Sequence, residues 1–166
     1  TTSAGGKPVA SKTGHAYVKD ALRATSGPYG GEMSGHHYFR DFFNCDSGML
    51  PWMLIARQLH QSGQTLAEAV AEMRAEFPSS GEINFRVADK GAAVAAVRGI
   101  FEPDAASVDR TDGLSCDFGD WRFNLRASNT ENLLRLNVEA AGSTALVEAR
   151  TADLSTILNK WAAKQP

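Results

Sequence analysis

The spacing of apolar residues changes several times along the chain, and each change predicts a helix or a strand. Val18, Ala21 and Leu22 recur at helical spacing, so this stretch is expected to bury one face of a helix. The elements predicted for the first part are a strand over Lys7–Thr13, a helix over Ala16–Ala24, an irregular loop over Gly30–Gly35, a buried strand over Tyr38–Phe43, and two amphipathic, mainly structural helices, over about Met49–Gln61 and from Thr65 to just before Pro78.

A break in composition follows these helices and predicts a domain boundary. Residues Phe77–Gly81 combine a proline, two serines and a glycine after a completed helix. Farther on, Asp112-Gly113 is a tight-turn signal between two short strands. The other elements predicted for the second part are a strand through Ile83, Phe85 and Val87, a helix capped by Asp89, strands over Trp121–Ala127 and Leu133–Ala141, and a final helix over Ser143–Ala163.

The order of these elements differs between the two parts. Residues 1–77 alternate strands and helices. Residues 82–166 place several neighbouring strands between two helices, which is typical of a compact α+β domain. Neither part shows an internal repeat.

The composition and charge of the chain exclude several classes of function. Of the 166 residues, 43% are hydrophobic and 22% are charged, and the formal net charge of -2 gives no general attraction for nucleic acid. Cys45 and Cys116 are too few for a disulfide framework and too far apart for metal-ligand spacing, so both are predicted to be free thiols in the cytoplasm. No apolar run reaches about 18 residues and no signal-peptide pattern opens the chain, so no membrane association is expected.

The run from Arg126 to Glu131 lies between two predicted strands and is a candidate phosphate site. The planar guanidinium of Arg126 can bind two phosphate oxygens, while Ser128, Asn129, Thr130 and backbone N–H groups can donate to the others. The alternative is a polar hairpin connection in which Ser128 and Asn129 bond their own backbone. The residue types alone are compatible with both.

The glycine-rich run from Gly30 to His36 is a candidate sugar site. Glu32 can accept hydrogen bonds from two adjacent sugar hydroxyls, Ser34 can add a third contact, and His36 can donate to an oxygen or move a proton. Glycines allow the backbone to approach a ligand closely. The alternative is a glycine-rich turn with a solvated Glu32.

A third segment, Lys12–His15, ends the first predicted strand. Lys12 and His15 can face the same ligand as the glycine-rich loop, although a surface lysine and a hydrogen-bonded histidine would look the same in sequence. The separations His15/His36 and His36/His37 do not have zinc-ligand spacing. No metal site is therefore predicted in this chain.

Taken together, the segments Lys12–His15, Gly31–His36 and Arg126–Glu131 resemble the α-D-phosphohexomutase family, the phosphomannomutase and phosphoglucomutase enzymes. The resemblance spans nearly the whole chain. It implies that residues 1–77 are an α/β partial domain, the later part of the third of four domains, and that residues 82–166 are the fourth domain. In that family the fourth domain resembles the fold of the TATA-binding protein.

The resemblance implies reversible transfer of phosphate between O1 and O6 of a hexose. Met33 and Asn129 favour glucose and mannose phosphates over glucosamine phosphate by the same comparison. His36 is implied to assist proton transfer. The residues implied to bind the substrate are Lys12, His15, Glu32, Ser34, Arg126, Ser128, Asn129 and Thr130.

Two segments of that family are missing from this sequence. It contains no Ser-His-Asn phosphoserine loop and no Asp-Gly-Asp-Gly-Asp magnesium loop. The chain is therefore expected to be a C-terminal fragment that binds hexose phosphates but is inactive alone, with Mg²⁺ bound outside it. Exposed apolar surface is expected to drive self-association or pairing with the missing N-terminal part. The rival interpretation is a free-standing module that binds phosphate or a sugar phosphate.

Overall fold

The computed structural model describes residues 2–128 and 131–162. The chain divides into two compact units, Thr1–Leu66 and Ala67–Pro166. The first is an α/β unit and the second is an α+β unit, so the predicted order of fold classes is confirmed. Among the described residues, none of the helices is both long enough and apolar enough to cross a membrane.

The first unit is built on a short antiparallel sheet. Its core is small: Val18 and Leu22 from one helix face are buried with the fully buried ring of Tyr38. The predicted helical stripe is therefore confirmed. The elements are helix α1 (His15–Thr25), strands β1 (Tyr29–Gly31), β2 (His37–Phe39) and β3 (Cys45–Asp46), and helix α2 (Met49–Ser62), with the strands in the order β1-β2-β3.

Three local predictions for this unit are wrong. Lys7–Thr13 forms no regular structure, because no strand among the described residues pairs with it to satisfy its backbone groups. The first two glycines of the predicted loop Gly30–Gly35 belong to β1 instead, where Gly30 pairs with Tyr38. The strand predicted over Tyr38–Phe43 stops at Phe39, because a 3-10 turn follows it.

The second unit is built on a five-stranded antiparallel sheet with helices on one face. The strand order β4-β8-β7-β6-β5 places the two longest strands side by side at or next to the centre. The elements are α3 (Leu66–Glu76), β4 (Ile83–Phe85), α4 (Lys90–Phe101), β5 (Ser107–Asp109), β6 (Leu114–Asp117), β7 (Trp121–Ala127), β8 (Leu134–Ala140) and α5 (Thr144–Asn159).

Strand alternation separates an apolar face from a polar face of this sheet. Along β7, Trp121, Phe123 and Leu125 are buried in the core with residues of α4 and α5. Arg122, Asn124 and Arg126, which alternate with them, lie on the opposite face. The register pairs Arg126 with Arg135 of β8, so the predicted strands bring two arginines side by side.

The turn between β5 and β6 presses against β7. Gly113 has a φ of 88°, and a Cβ at this position would lie 2.5 Å from the Leu125 carbonyl oxygen and 2.7 Å from the Cβ of Arg126. The Asn124 side-chain amide donates to the Asp112 carbonyl at 2.9 Å and holds the same turn. The predicted tight turn at Asp112-Gly113 is confirmed, and its glycine is required by both conformation and space.

Helix α3 groups with the second unit, although the predicted boundary lies after it at 77–81. The Glu76 carbonyl accepts a hydrogen bond from the Gly142 N–H at 2.8 Å, and the Pro78 carbonyl accepts one from the Ala140 N–H at 3.1 Å. These bonds attach the end of α3 to the end of β8. A domain boundary at 77–81 stays a prediction.

Helix α2 does not bury the apolar residues that its pattern would place in a core. None of its residues is buried, although both α2 and α3 were predicted to be amphipathic structural helices. Trp52 is 64% exposed, and Met49, Met53, Leu54 and Ile55 are also exposed. An exposed apolar surface of this kind is a candidate contact surface for another protein segment.

Candidate functional site

Glu32 joins three parts of the first unit through its two carboxylate oxygens. Oε2 accepts a hydrogen bond from the backbone N–H of Gly14, at 3.0 Å, directly before α1. Oε1 accepts a hydrogen bond from the hydroxyl of Tyr38 in β2. Each carboxylate oxygen has two lone-pair directions, so Glu32 keeps acceptor capacity beyond these two bonds. The carboxylate is thereby held in one orientation.

Two imidazoles lie beside this carboxylate. The ring centroids of His15 and His36 are 4.6 Å apart at an interplanar angle of 65°, and His15 also contacts the edge of Tyr38 at 5.4 Å. Ser34 Oγ lies 2.8 Å from Nδ1 of His36 and fixes that ring. The structure therefore brings together four residues that the sequence singled out: His15, Glu32, Ser34 and His36.

The tight turn that carries Ser34 is closed by backbone hydrogen bonds. The N–H of Gly35 donates to the Glu32 carbonyl at 3.0 Å, and the N–H of Glu32 donates to the His36 carbonyl at 2.9 Å. Gly35 has a φ of 84°, which a glycine adopts without strain. The turn reverses the chain between β1 and β2, so that Glu32 and His36 lie close together.

Tyr38 is the residue of this site that sequence reasoning assigned only to the core. Burial raises the pKa of its hydroxyl above the usual value, and the hydrogen bond to the carboxylate of Glu32 raises that pKa further. The hydroxyl is therefore a donor to Glu32 at neutral pH. No sequence signal distinguishes this tyrosine from a core phenylalanine, because only the turn at 32–36 brings Glu32 back over β2.

Lys12 and His37 make contacts other than those of the imidazole pair. The Lys12 ammonium is 5.6 Å from the ring centroid of Tyr17, and Lys12 lines a cavity of about 500 Å³ to which Glu32 and Met33 also contribute. His37 faces the other way, as its position after His36 predicts, and its Nδ1 lies 2.7 Å from the Tyr29 hydroxyl.

In the second unit, Arg126 is held by an acidic residue that the sequence analysis did not single out. Its guanidinium lies 3.3 Å from the carboxylate of Glu82, and Nε of Arg135 lies 3.5 Å from the other oxygen of the same carboxylate. The Arg126 side chain is 14% exposed. Arg135 also pairs with Glu131 at 3.3 Å. The pairing of β4 with β8 creates this cluster, and no local motif predicts it.

Ser128 begins the candidate phosphate loop and is almost fully buried. Its hydroxyl accepts a hydrogen bond from the Glu131 N–H at 3.1 Å, and its own N–H donates to the Leu133 carbonyl at 3.0 Å. These bonds are those expected for a hairpin connection that satisfies its own backbone. Asn129 and Thr130, the other predicted phosphate ligands, lie outside the described residues.

Both units match known protein families. The first is an α/β unit with a carboxylate–imidazole loop, and the second is an α+β unit with a polar connection between two strands. Residues 1–77 match the family model described as phosphoglucomutase/phosphomannomutase, alpha/beta/alpha domain III, and residues 82–156 match that of the C-terminal domain. Both matches belong to one class of protein, the phosphoglucomutase/phosphomannomutase class.

Similar proteins carry names from the same family. A phosphomannomutase of Salmonella montevideo is 57% identical over 158 residues, which are 95% of this chain and 35% of the relative. A phosphomannomutase of Escherichia coli K12 is 55% identical over 159 residues, 96% of this chain and 35% of the relative. A crystal structure of a phosphoglucomutase/phosphomannomutase family protein from Burkholderia thailandensis matches with a TM-score of 0.74 and 28% identity, over 96% of this chain and 34% of that one.

The chain belongs to the phosphoglucomutase/phosphomannomutase family. It spans about a third of the length of the curated relatives that it matches. The matched parts are domain III and the C-terminal domain, as the resemblance in the sequence implied.

The resemblance described from the sequence implies Mg²⁺ bound outside this chain. Mg²⁺ prefers near-octahedral oxygen ligands. Within residues 2–128 and 131–162, the one group of three or more histidine, cysteine, aspartate or glutamate side chains with metal-binding proximity is His15, Glu32 and His36. Two imidazole nitrogens and one carboxylate do not suit Mg²⁺.

Proposed function

We propose that this chain is the hexose-phosphate-binding part of a phosphohexomutase, an isomerase that transfers phosphate reversibly between O1 and O6 of glucose or mannose. In this proposal the chain binds the sugar and the phosphate that is not reacting, and it does not turn substrate over alone. The carboxylate of Glu32, oriented by Gly14 and Tyr38, is the observation that carries the proposal.

Glu32 and Ser34 hold sugar hydroxyls in this proposal, and His15, His36 and Lys12 approach the same ligand. A carboxylate whose orientation is already fixed loses little conformational freedom when it accepts hydrogen bonds from a diol. His36 lies against Ser34 and His15 and is the candidate for proton transfer at a sugar oxygen. The family membership of both halves of the chain supports these roles.

Arg126, Ser128, Asn129 and Thr130 hold the phosphate in the same proposal. Arg126 then exchanges its contact with Glu82 for a contact with the phosphate, whose two negative charges make it the stronger partner. Arg135, which shares Glu82, keeps that carboxylate paired after the exchange. The cost of moving Arg126 is therefore that of one partly buried ion pair rather than of an isolated buried charge.

Titration of the chain with glucose 1-phosphate, followed by calorimetry, tests the phosphate site. Arg126→Ala is expected to weaken binding by at least about 1.5 kcal/mol, or roughly tenfold, which is the lower end for a hydrogen bond to a charged group. Arg122→Ala is the matched control, because Arg122 lies on the same polar face of β7 and pairs with Glu139 at 3.8 Å. Equal affinity of Arg126→Ala and the wild-type chain would remove the assigned role.

The proposal also includes a partner for the apolar residues of α2. Exposed Met49, Trp52 and Ile55 support self-association or pairing with an N-terminal part of the enzyme. Light scattering after size exclusion at micromolar concentration tests self-association, and a strictly monomeric species counts against it. A cytoplasmic location completes the proposal and is supported by the free thiols of Cys45 and Cys116.

A further inference from the structure

His15, Glu32 and His36 form a side-chain cluster with the composition of a transition-metal site. One ligand atom of each residue lies within 4.8 Å of those of the other two. Two imidazoles and a carboxylate are a ligand set that protein zinc sites use, with a fourth position left for water or another ligand. The separations along the sequence do not predict this site, because the cluster is assembled only when β2 places His36 beside the start of α1.

The neighbours of the cluster orient its ligand atoms in the way that metal sites require. Ser34 Oγ can accept the proton of His36 Nδ1, which leaves the lone pair of Nε2 available for a metal ion. The Tyr38 hydroxyl and the Gly14 N–H hold the Glu32 carboxylate in place. Hydrogen bonds of this kind around metal ligands typically strengthen metal binding about 10- to 100-fold.

The cluster can close to coordination distances with a small movement. Zn–N distances of about 2.0–2.1 Å in a tetrahedral site place ligand atoms roughly 3.4 Å apart. The ligand atoms of the three residues lie within 4.8 Å of one another, so any two of them need to approach by at most about 1.4 Å. His15 is exposed and stands at the first position of α1, so its imidazole can move with little loss of buried surface.

We propose that His15, Glu32 and His36 bind a late first-row divalent cation of the Zn²⁺ type. Nitrogen-rich sites favour such cations over Mg²⁺ and Ca²⁺. A bound cation would occupy the carboxylate and both imidazoles that the hexose-phosphate proposal assigns to substrate, and this consequence rests on that proposal. The metal site itself does not depend on it.

Titration of the chain with Co²⁺, followed by visible absorption, and competition by Zn²⁺ test the site. One equivalent of Co²⁺ is expected to bind and to be displaced by Zn²⁺. His15→Ala and His36→Ala are each expected to weaken binding at least tenfold. His60→Ala, which removes an exposed imidazole from α2, is the matched control and is expected to bind as the wild-type chain does.

Three outcomes would overturn the metal site. They are unchanged affinity in His15→Ala, an equal loss in His60→Ala, and a thiolate-to-cobalt absorption band that disappears in Cys45→Ser. Circular dichroism checks that each variant is folded, and His15→Ala keeps the test decisive if His36→Ala does not fold, since His15 is exposed and lies outside the buried core. Failure of glucose 1-phosphate binding with normal Co²⁺ binding would contradict the hexose-phosphate proposal alone.

Discussion

Removing one buried hydroxyl, by Tyr38→Phe, tests whether Tyr38 holds Glu32. The ring of Tyr38 is 0% exposed and packs with Val18 and Leu22, so the variant keeps the apolar contacts and loses only the donor to Glu32. A hydrogen bond to a charged group contributes about 1.5–3 kcal/mol. Glu32 is half-buried and water can replace part of the lost bond, so the lower end, about 1.5 kcal/mol, is expected.

Native-state hydrogen exchange of the amides in residues 14–40 measures this loss as a lower free energy of local opening. Tyr29→Phe is the matched control, because Tyr29 is 51% exposed and its hydroxyl bonds the imidazole of His37 rather than a carboxylate. That variant is expected to lose only about 0.5 kcal/mol. Equal opening free energies in the two variants would refute the assignment of Tyr38 as the group that orients Glu32.

Three further predictions concern pH, a turn and a helix cap. Because burial and then the bond to Glu32 raise the pKa of Tyr38, the contribution of Tyr38 to stability is fully present below about pH 10 and is lost as pH rises further, since the unfolded chain ionises first. Denaturation at pH 8 to 11 should therefore show a shallower loss of unfolding free energy in Tyr38→Phe than in the wild-type chain. Gly113→Ala should lower the free energy of unfolding, measured by urea denaturation, by about 1–3 kcal/mol more than Gly119→Ala does. Both glycines have a positive φ, but an added Cβ clashes only at Gly113. Equal losses in the two variants would contradict the close packing of this turn. Asp89→Ala, which removes the cap of α4, should lower the free energy of unfolding by about 1 kcal/mol by the same measurement, and an unchanged value would contradict the cap.

Elements whose signal is local could be predicted from the sequence. Strand β7 was predicted with its observed bounds, Trp121–Ala127, because bulky apolar residues alternate with polar ones over its whole length. Helix α1 followed from its periodic apolar face. Lys7–Thr13 was predicted as a strand and is not one, because a strand depends on a neighbour that its own residues do not encode.

The candidate site was predictable in its residue types but not in its connections. The glycine-rich loop pointed to Glu32 and His36 by composition alone. Their contact with His15 and the hydrogen bond from Tyr38 depend on the fold that brings α1 and β2 together. The ion pair between Arg126 and Glu82 joins residues 44 positions apart, and pairing of distant strands is not encoded in a short motif.

The two outermost strands of the five-stranded sheet, β4 and β5, have only three residues each. Strands this short offer few backbone groups to another chain, and charged residues such as Asp109 and Arg110 at the β5 edge oppose β-augmentation. Amyloid-like stacking and strand exchange through this sheet are thereby disfavoured. If concentrated samples of the chain become turbid, mutation to improve their shelf life should begin with the helical surface around Trp52 rather than with the sheet.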